Sequence, residues 1–291
     1  MKCIGENLNV MNKSLAQAFA DKNPEPIEKI ALSQKAAGVD WIDINIGPAR
    51  KNGAELMTWL VTTVQNVVPD MPLSLDTINI EAMEAGLAAH KGTALVNSVM
   101  AKKERYEALL PLVVKYQANM IALLWGEDGL PRDENERAAL CVELVYVSNE
   151  AGVANDRIFI DPIITPLNIQ QNQLMSTLAF MEMLPEIAPG VRSTCGLSNM
   201  SNGTPLRAPL NQTFMLLLER VGMYSCILDF EDKLILNLAN GCRPDITKVV
   251  YDTADGLIQD PSKVDKELQI FVKATRVIIG QSLYSDSWMD L

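Results

Sequence analysis

Histidine is nearly missing from this chain, which carries one, at position 90, among 291 residues. A zinc hydrolase or a serine–histidine catalyst draws on imidazole, so those mechanisms have little to work with here. Cysteine is sparse too. Cys3, Cys141, Cys195, Cys226 and Cys242 are odd in number and without CxxC spacing, which argues against a disulfide framework or a structural zinc and for buried thiols. Cys195 precedes an expected strand end, but no histidine lies near it in sequence and a nucleophilic role is not expected. No apolar run reaches the roughly 18 residues of a membrane span. The opening MKCIGENLNV lacks the basic-then-apolar pattern of a signal peptide, so a soluble, cytoplasmic protein is expected. Positive charge is also short: 25 Lys and Arg against 36 Asp and Glu leave a net −11, with no basic patch that would draw a nucleic acid. A glycine-rich turn after the first strand, as a Rossmann dehydrogenase needs, is absent. So is a lysine at a strand end for Schiff-base chemistry, with only Lys233 near such a position.

What is present is a rhythm. Nearly half the residues are hydrophobic, and short apolar runs stop at Asn7/Asn9, Asp43/Asn45, Asp76, Asn97, Trp125, Asp161, Ser198/Asn199 and Asp229, each followed by a helix-like stretch. This is the pattern of an α/β (β/α)8 TIM barrel whose C-terminal mouth is lined with hydrogen-bonding side chains. Strands are expected at 2–9, 41–46, 73–76, 94–98, 120–124, 157–161, 191–198 and 226–229. Helices are expected at 24–37, closed by Gly38, then at 56–68, 80–89, 106–116, 134–151, through 178–183, and at 210–221. A single domain over 1–291 is the economical reading, with a polar insertion of helix and loop at about 242–265 before a closing helix at 268–279.

Barrel enzymes build their sites at the C-terminal ends of strands, so Asp76, Asn97, Asp161 and Asn199 should converge on one cavity. Each could instead cap the helix that follows. Together, two acids and two amides supply the donors and acceptors that read both edges of a fused, amide-bearing ring. An ionised carboxylate can accept from a ring N–H and an exocyclic NH2 at once.

The segments IGENLN (4–9), DINIGPA (43–49), LDTINIEAMEAGL (75–87), VNS (96–98), IDP (160–162) and GLSNMS (196–201) resemble the pterin-binding methyltransferases that exchange a methyl group between tetrahydrofolate and a corrinoid protein. That family includes the methyltetrahydrofolate:corrinoid/iron–sulfur protein methyltransferases and the demethylase-system methylcorrinoid:tetrahydrofolate methyltransferases. The likeness runs from Ile4 to about Gly241 and resumes at GQSLYSDSW, leaving about 242–265 without a counterpart. The resemblance implies a barrel of the pterin-binding, dihydropteroate synthase-like type. It implies that Asp76, Asn97 and Asp161 bond the pterin ring, that Asn199 lies beside N5 with Gly196 and Ser198 as the adjacent wall, and that Arg207 is near the cofactor. Asn199 and Asp161 would be the catalytic pair. Glu6, Asn7, Asn9, Asp43 and Asn45 share the rim and rank lower, since short polar groups at strand ends also hold loops together. Where relatives carry arginine in GERIN, this chain has Asn7, so a charge-based role there is lost.

The implied substrate is tetrahydrofolate or its 5-methyl form, with no metal on this chain. The corrinoid would come from a separate protein, because the base-off motif D-x-H-x-x-G fails at AAHKGT around His90. His90 is then expected to be a helix-end histidine favoured by the macrodipole. A homodimer is expected by analogy. The neighbouring possibilities are a dihydropteroate synthase, which would want a basic anion-binding loop that ILDFEDKLIL does not provide, and a noncatalytic folate-binding protein.

Overall fold

The structure is a computed structural model that describes residues 1–48 and 51–290; Ala49, the end of the DINIGPA segment, falls outside the described residues. The order is β1 (Lys2–Asn9), α1 (Lys13–Asp21), α2 (Pro24–Ala37), β2 (Trp41–Gly47), α3 (Gly53–Val67), β3 (Leu73–Thr77), α4 (Ile80–Ala89), β4 (Leu95–Met100) and α5 (Lys103–Lys115). It continues with β5 (Asn119–Leu123), α6 (Glu134–Glu150), β6 (Ile158–Asp161), α7 (Gln171–Ile187), β7 (Arg192–Ser193), α8 (Arg207–Arg220) and β8 (Ser225–Leu228). The last helices are α9 (Lys233–Ala239), α10 (Pro244–Ala254) and α11 (Gln269–Ile278).

The eight strands are parallel and run β7-β6-β5-β4-β3-β2-β1-β8. The two ends of this ladder meet beyond β7. Ile227 N donates to Cys195 O at 2.8 Å, and Ser225 Oγ donates to Ser193 O at 3.0 Å. These bonds close a (β/α)8 barrel, and its parallel strands are covered by helices, which is why they are apolar on both faces.

Local chemistry sets the boundaries. Asn23 accepts from Glu25 N at the start of α2, and Gly38 ends the helix with φ 82°, a left-handed conformation that glycine adopts without penalty. Two layers of core follow from the two-residue period of the strands. Between sheet and helices lie side chains such as Ile42, Ile44, Leu75, Val96 and Ile160. Inside the barrel Ile4, Trp41, Leu95, Ile121 and Phe159 form a dry plug. Trp41 meets Phe159 edge to face at 5.9 Å.

Some expectations need correction. The seventh strand is not 191–198. It is paired as strand only at Arg192–Ser193, and Leu197–Ser201 is a 3-10 turn whose buried Leu197 and Met200 imitate a strand's apolar run. Helix α1 has no counterpart among the expected helices; nine residues with Leu15, Ala18 and Phe19 inward give too short a pattern to stand out. His90 does end α4, but as a neutral acceptor: its Nε2 takes a bond from Leu73 N at 3.2 Å, and burial holds its pKa below the usual value. A cation favoured by the helix dipole is the wrong description. Four cysteines are buried as expected, while Cys242 is exposed. The 242–265 stretch supplies α10, which packs against α8 and α11. Among the described residues no helix is long and apolar enough to cross a membrane.

Gly86 lets α4 approach its neighbours. A Cβ there would lie 2.6 Å from Met57 Cγ and 3.0 Å from Leu75 Cδ1. Gly86→Ala is expected to cost about 1–3 kcal/mol by overpacking. Adding Met57→Ala should give less than the sum of the two losses in denaturant titrations, because the sites touch; strict additivity would contradict the contact.

Candidate active site

On each strand the inward residues alternate with outward ones, and four of the five plug residues, all but Ile121, are followed two positions later by a polar group. Ile4 is followed by Glu6, Trp41 by Asp43 and then Asn45, Leu95 by Asn97, and Phe159 by Asp161. The register puts Asn45 beside Asp76 and Asp76 beside Asn97, so these three form a row across β2, β3 and β4. Asp161 ends β6 opposite Leu123. A polar layer therefore sits on the apolar plug at the C-terminal end of the barrel.

This layer is bonded internally. Asp43, 3% exposed, accepts from Ser74 Oγ at 2.6 Å and from Asn97 Nδ2 at 3.1 Å. Asn45 donates its amide to Asp76 Oδ2 and accepts from Gly47 N at 2.9 Å. Across the mouth Glu6 Oε1 accepts from Ser198 Oγ at 2.6 Å. Asp161 Oδ1 accepts from Ile163 N at 2.8 Å, a local turn rather than a helix cap.

The structure shows which strand-end groups cap a helix and which do not. The side chains that cap the helices after β3, β5 and β8 are Asn79, Asp133 and Asp232. Asp76, Asn97 and Asp161 are not among them, so their polar groups stay with the mouth. Asn7 and Asn9 do hold loops: Asn7 Nδ2 donates to Asp229 Oδ1 at 2.8 Å and Asn9 Oδ1 accepts from Met11 N at 2.8 Å. Arg207 is the first residue of α8 and clamps the 3-10 turn, donating from Nε to Ser201 Oγ at 3.0 Å and from Nη2 to Ser198 O at 2.9 Å. It is thus bonded rather than free in solvent. Asn199 is exposed on that turn, over Gly196, whose missing Cβ would lie 2.9 Å from the Asn199 Nδ2. A cavity of about 540 Å³ opens between this turn and the end of β8, lined by Glu6, Ser198, Arg207, Asp229, Glu231 and Asp232 among others, with Asn199, Asp76, Asn97 and Asp161 outside its lining.

Burial sets the electrostatics. Asp161 is pushed up to about 7 by loss of water, against the opposing pull of the Ile163 N–H and the Arg137 guanidinium. Burial also raises Asp43, and Asp76 is raised by burial and by the charge of Asp43. Glu6 is raised by burial too, with the Ser198 hydroxyl and Arg207 working against it. The mouth thus holds dehydrated acids whose charged form is only partly supplied with donors, which suits a ligand that brings N–H groups. Cys195 is buried with its sulfur 3.7 Å from Cys226, and its thiol is raised well above the ordinary value, which is the opposite of an activated nucleophile.

Two members of the site lie outside the residues expected from sequence. Ser74 has a signal in its position two residues before Asp76 on one strand face. Arg137, buried in α6 at 1% exposure, offers no local signal.

Residues 5–228 match the family described as pterin binding enzyme. The chain belongs to the pterin-binding enzymes, within their corrinoid-dependent methyltransferase family. It is 31% identical over 231 residues to a methylcorrinoid:tetrahydrofolate methyltransferase of Eubacterium limosum, covering 79% of this chain and 85% of that protein. A methionine synthase of Mycobacterium leprae (strain TN) is 26% identical over 263 residues, which is 86% of this chain but 22% of that much longer protein. Among solved structures, a dihydropteroate synthase from Xanthomonas albilineans in complex with 7,8-dihydropteroate superposes with TM-score 0.64 at 22% identity, covering 83% of this chain and 93% of that one. At that identity the likeness speaks for the barrel fold alone.

Asp161 keeps its proton in the folded chain to about pH 7, whereas an unfolded chain gives it up near pH 4. The native state binds more protons across that window, so this group's contribution to stability falls as pH rises through it and stays low above. Asp161→Asn keeps the oxygen that accepts from Ile163 and removes the charge. It is expected to raise the melting temperature of the ligand-free protein more at about pH 8 than at about pH 5; equal shifts at both values would contradict the burial argument.

Proposed function

We propose that this chain is a methyltransferase that moves a methyl group between N5 of tetrahydrofolate and the cobalt of a corrinoid carried by a separate protein. The observation that carries the reading is the row Asn45, Asp76, Asn97 with Asp43 and Asp161, a layer of amides and dehydrated acids over an apolar floor. A pterin ring presents an N–H and an exocyclic NH2 to carboxylates and a carbonyl to amides, which is the complement of that layer. The identity with the Eubacterium limosum enzyme over most of both chains supports the same reaction class here.

The corrinoid supplies a cobalt centre that exchanges methyl with the pterin. The chain's one histidine, His90, is bonded to Leu73 N at the entry end of that residue's strand, away from the mouth, so the corrinoid is placed on the separate protein in this reading. The chain's own task is at N5. The methyl-bearing amine leaves poorly as an anion, so proton or hydrogen-bond donation there lowers the barrier. Asn199, exposed on the 3-10 turn beside Gly196, can turn its amide to donate to a neutral N5 or to accept from N5–H. Asp161 assists by accepting from the ring, which makes proton gain at the ring easier. Neither the protonation path nor the pterin contacts call for a nucleophilic side chain.

The mouth beside β8 weighs against a dihydropteroate synthase. Glu6, Asp229, Glu231 and Asp232 line that cavity with Arg207 as its basic residue, a poor setting for a departing pyrophosphate. A cytoplasmic homodimer that engages a corrinoid protein, built as one barrel domain with about 242–265 inserted, completes the proposal.

Stopped-flow mixing with free cob(I)alamin and 5-methyltetrahydrofolate tests it. Transfer to cobalt is expected for the natural chain, and binding without turnover would mark a folate carrier instead. Asn199→Ala should slow transfer by roughly a hundredfold, since one hydrogen bond aimed at developing charge is worth about 3 kcal/mol. Pterin affinity should change by only a small factor, and equal losses in both would remove Asn199 from the transition state.

A further inference from the structure

The turn that follows Asp161 is conformationally unusual. Ile163 has φ 63°, in the left-handed region that a β-branched side chain disfavours. Its N–H is the group that fixes Asp161, donating to Oδ1 at 2.8 Å. Such a conformation persists when its surroundings over-determine it, and here they do so through one side chain from α6. Arg137 donates from Nε to Pro162 O at 2.9 Å and from Nη2 to Ile163 O at 3.5 Å, gripping both carbonyls of the turn. Its far side is anchored to α7, with Nη2 donating to Gln173 Oε1 at 2.8 Å and Nη1 to Ser176 Oγ at 2.9 Å. Those anchors are held in turn: Gln173 Nε2 donates to Arg132 O at 2.6 Å and Ser176 Oγ to Glu134 Oε2 at 3.0 Å. Among the described residues no carboxylate bonds this guanidinium directly, although it is 1% exposed.

We infer that Arg137 is a positioning residue for the pterin site: it straps the Asp161–Pro162–Ile163 turn so that the Asp161 carboxylate faces the ring. The same buried guanidinium works against protonation of that carboxylate. The inference rests on the pterin reading of the mouth. A planar fork suits the task, because it spans two carbonyls on one side and two helix side chains on the other, which a lysine cannot reproduce. The groups that face Asp161 are Arg137 from α6 and the Cys195 thiol from the β7 side, and Glu134 and Asp133 in turn face Arg137. Of these, Arg137 is the one cation. Its own pKa is lowered to about 10 by burial, so it remains charged at neutral pH.

The test uses the full chain with two readouts, one of which needs no ligand. Carboxyl 13C NMR of aspartate-labelled protein follows the titration of Asp161, its signal assigned by its loss in Asp161→Asn. Calorimetry follows binding of 5-methyltetrahydrofolate. Arg137→Met should move the Asp161 midpoint up by roughly one unit, since a cation has been taken from a buried acid. Arg137→Lys should keep the midpoint near that of the natural chain and weaken 5-methyltetrahydrofolate binding about tenfold, because charge stays but the strap is lost. Ile163→Gly in the Arg137→Lys background should recover most of that affinity, as glycine adopts the left-handed turn unaided. If Arg137→Met does not fold, the lysine variant and its glycine rescue carry the test. An unchanged Asp161 midpoint in Arg137→Met, natural affinity in Arg137→Lys, or a lysine variant that glycine fails to rescue would overturn the inference. Should the natural chain not bind 5-methyltetrahydrofolate while the midpoint still moves, the pterin reading fails and the control of Asp161 by Arg137 stands.

Discussion

A carboxylate removed from water must be given donors or a cation, or it takes up a proton. Asp43, Asp76 and Asp161 stand at the top of a sealed barrel, where the dry plug of Ile4, Trp41, Leu95, Ile121 and Phe159 closes the route from below. The amides of Asn45 and Asn97 and the hydroxyl of Ser74 satisfy part of what these acids need. The remainder is open to a ligand. In the proposed function, a reduced pterin supplies the missing N–H groups, and selectivity follows from the mismatch between a dehydrated acid and any ligand without them.

The fold serves this constraint by keeping the acids on strands and not on loops. The parallel register fixes Asn45, Asp76 and Asn97 side by side, and their separation cannot drift without breaking the ladder. The parts expected to engage N5 and the methyl group sit on more adaptable ground. Asn199 rides on a 3-10 turn that Arg207 and the Ser198–Glu6 bond secure to the rim. In the proposed function, a rigid floor would read the ring beneath a rim that meets the reacting atom, a division suited to a reaction in which a second protein must reach the same substrate.

Much of this is legible in the sequence. Helix α2 can be bounded from Pro24 and Gly38, and helix α4 from its apolar period. The strand-end polar residues stand out because, in an α/β chain, a short apolar run that stops at Asp or Asn before a helical stretch marks the mouth end of a strand. The seventh strand is misleading in sequence because a 3-10 turn with Leu197 and Met200 buried carries the same apolar density as a strand. The charge of His90 is hidden because only the tertiary structure places Leu73 N against its ring. Arg137 is invisible for a related reason: its partners Pro162, Gln173 and Ser176 lie 25, 36 and 39 residues away, and nothing nearby in sequence separates it from a surface helix arginine.

If the mouth acids hold protons until a ring with N–H groups replaces them, binding must move protons. Titration calorimetry of 5-methyltetrahydrofolate in two buffers of different ionisation enthalpy, repeated at several pH values, measures the protons exchanged on binding. The account predicts net proton release near neutral pH that fades at alkaline pH and is reduced in Asp161→Asn. Binding with no proton exchange across that range would contradict it.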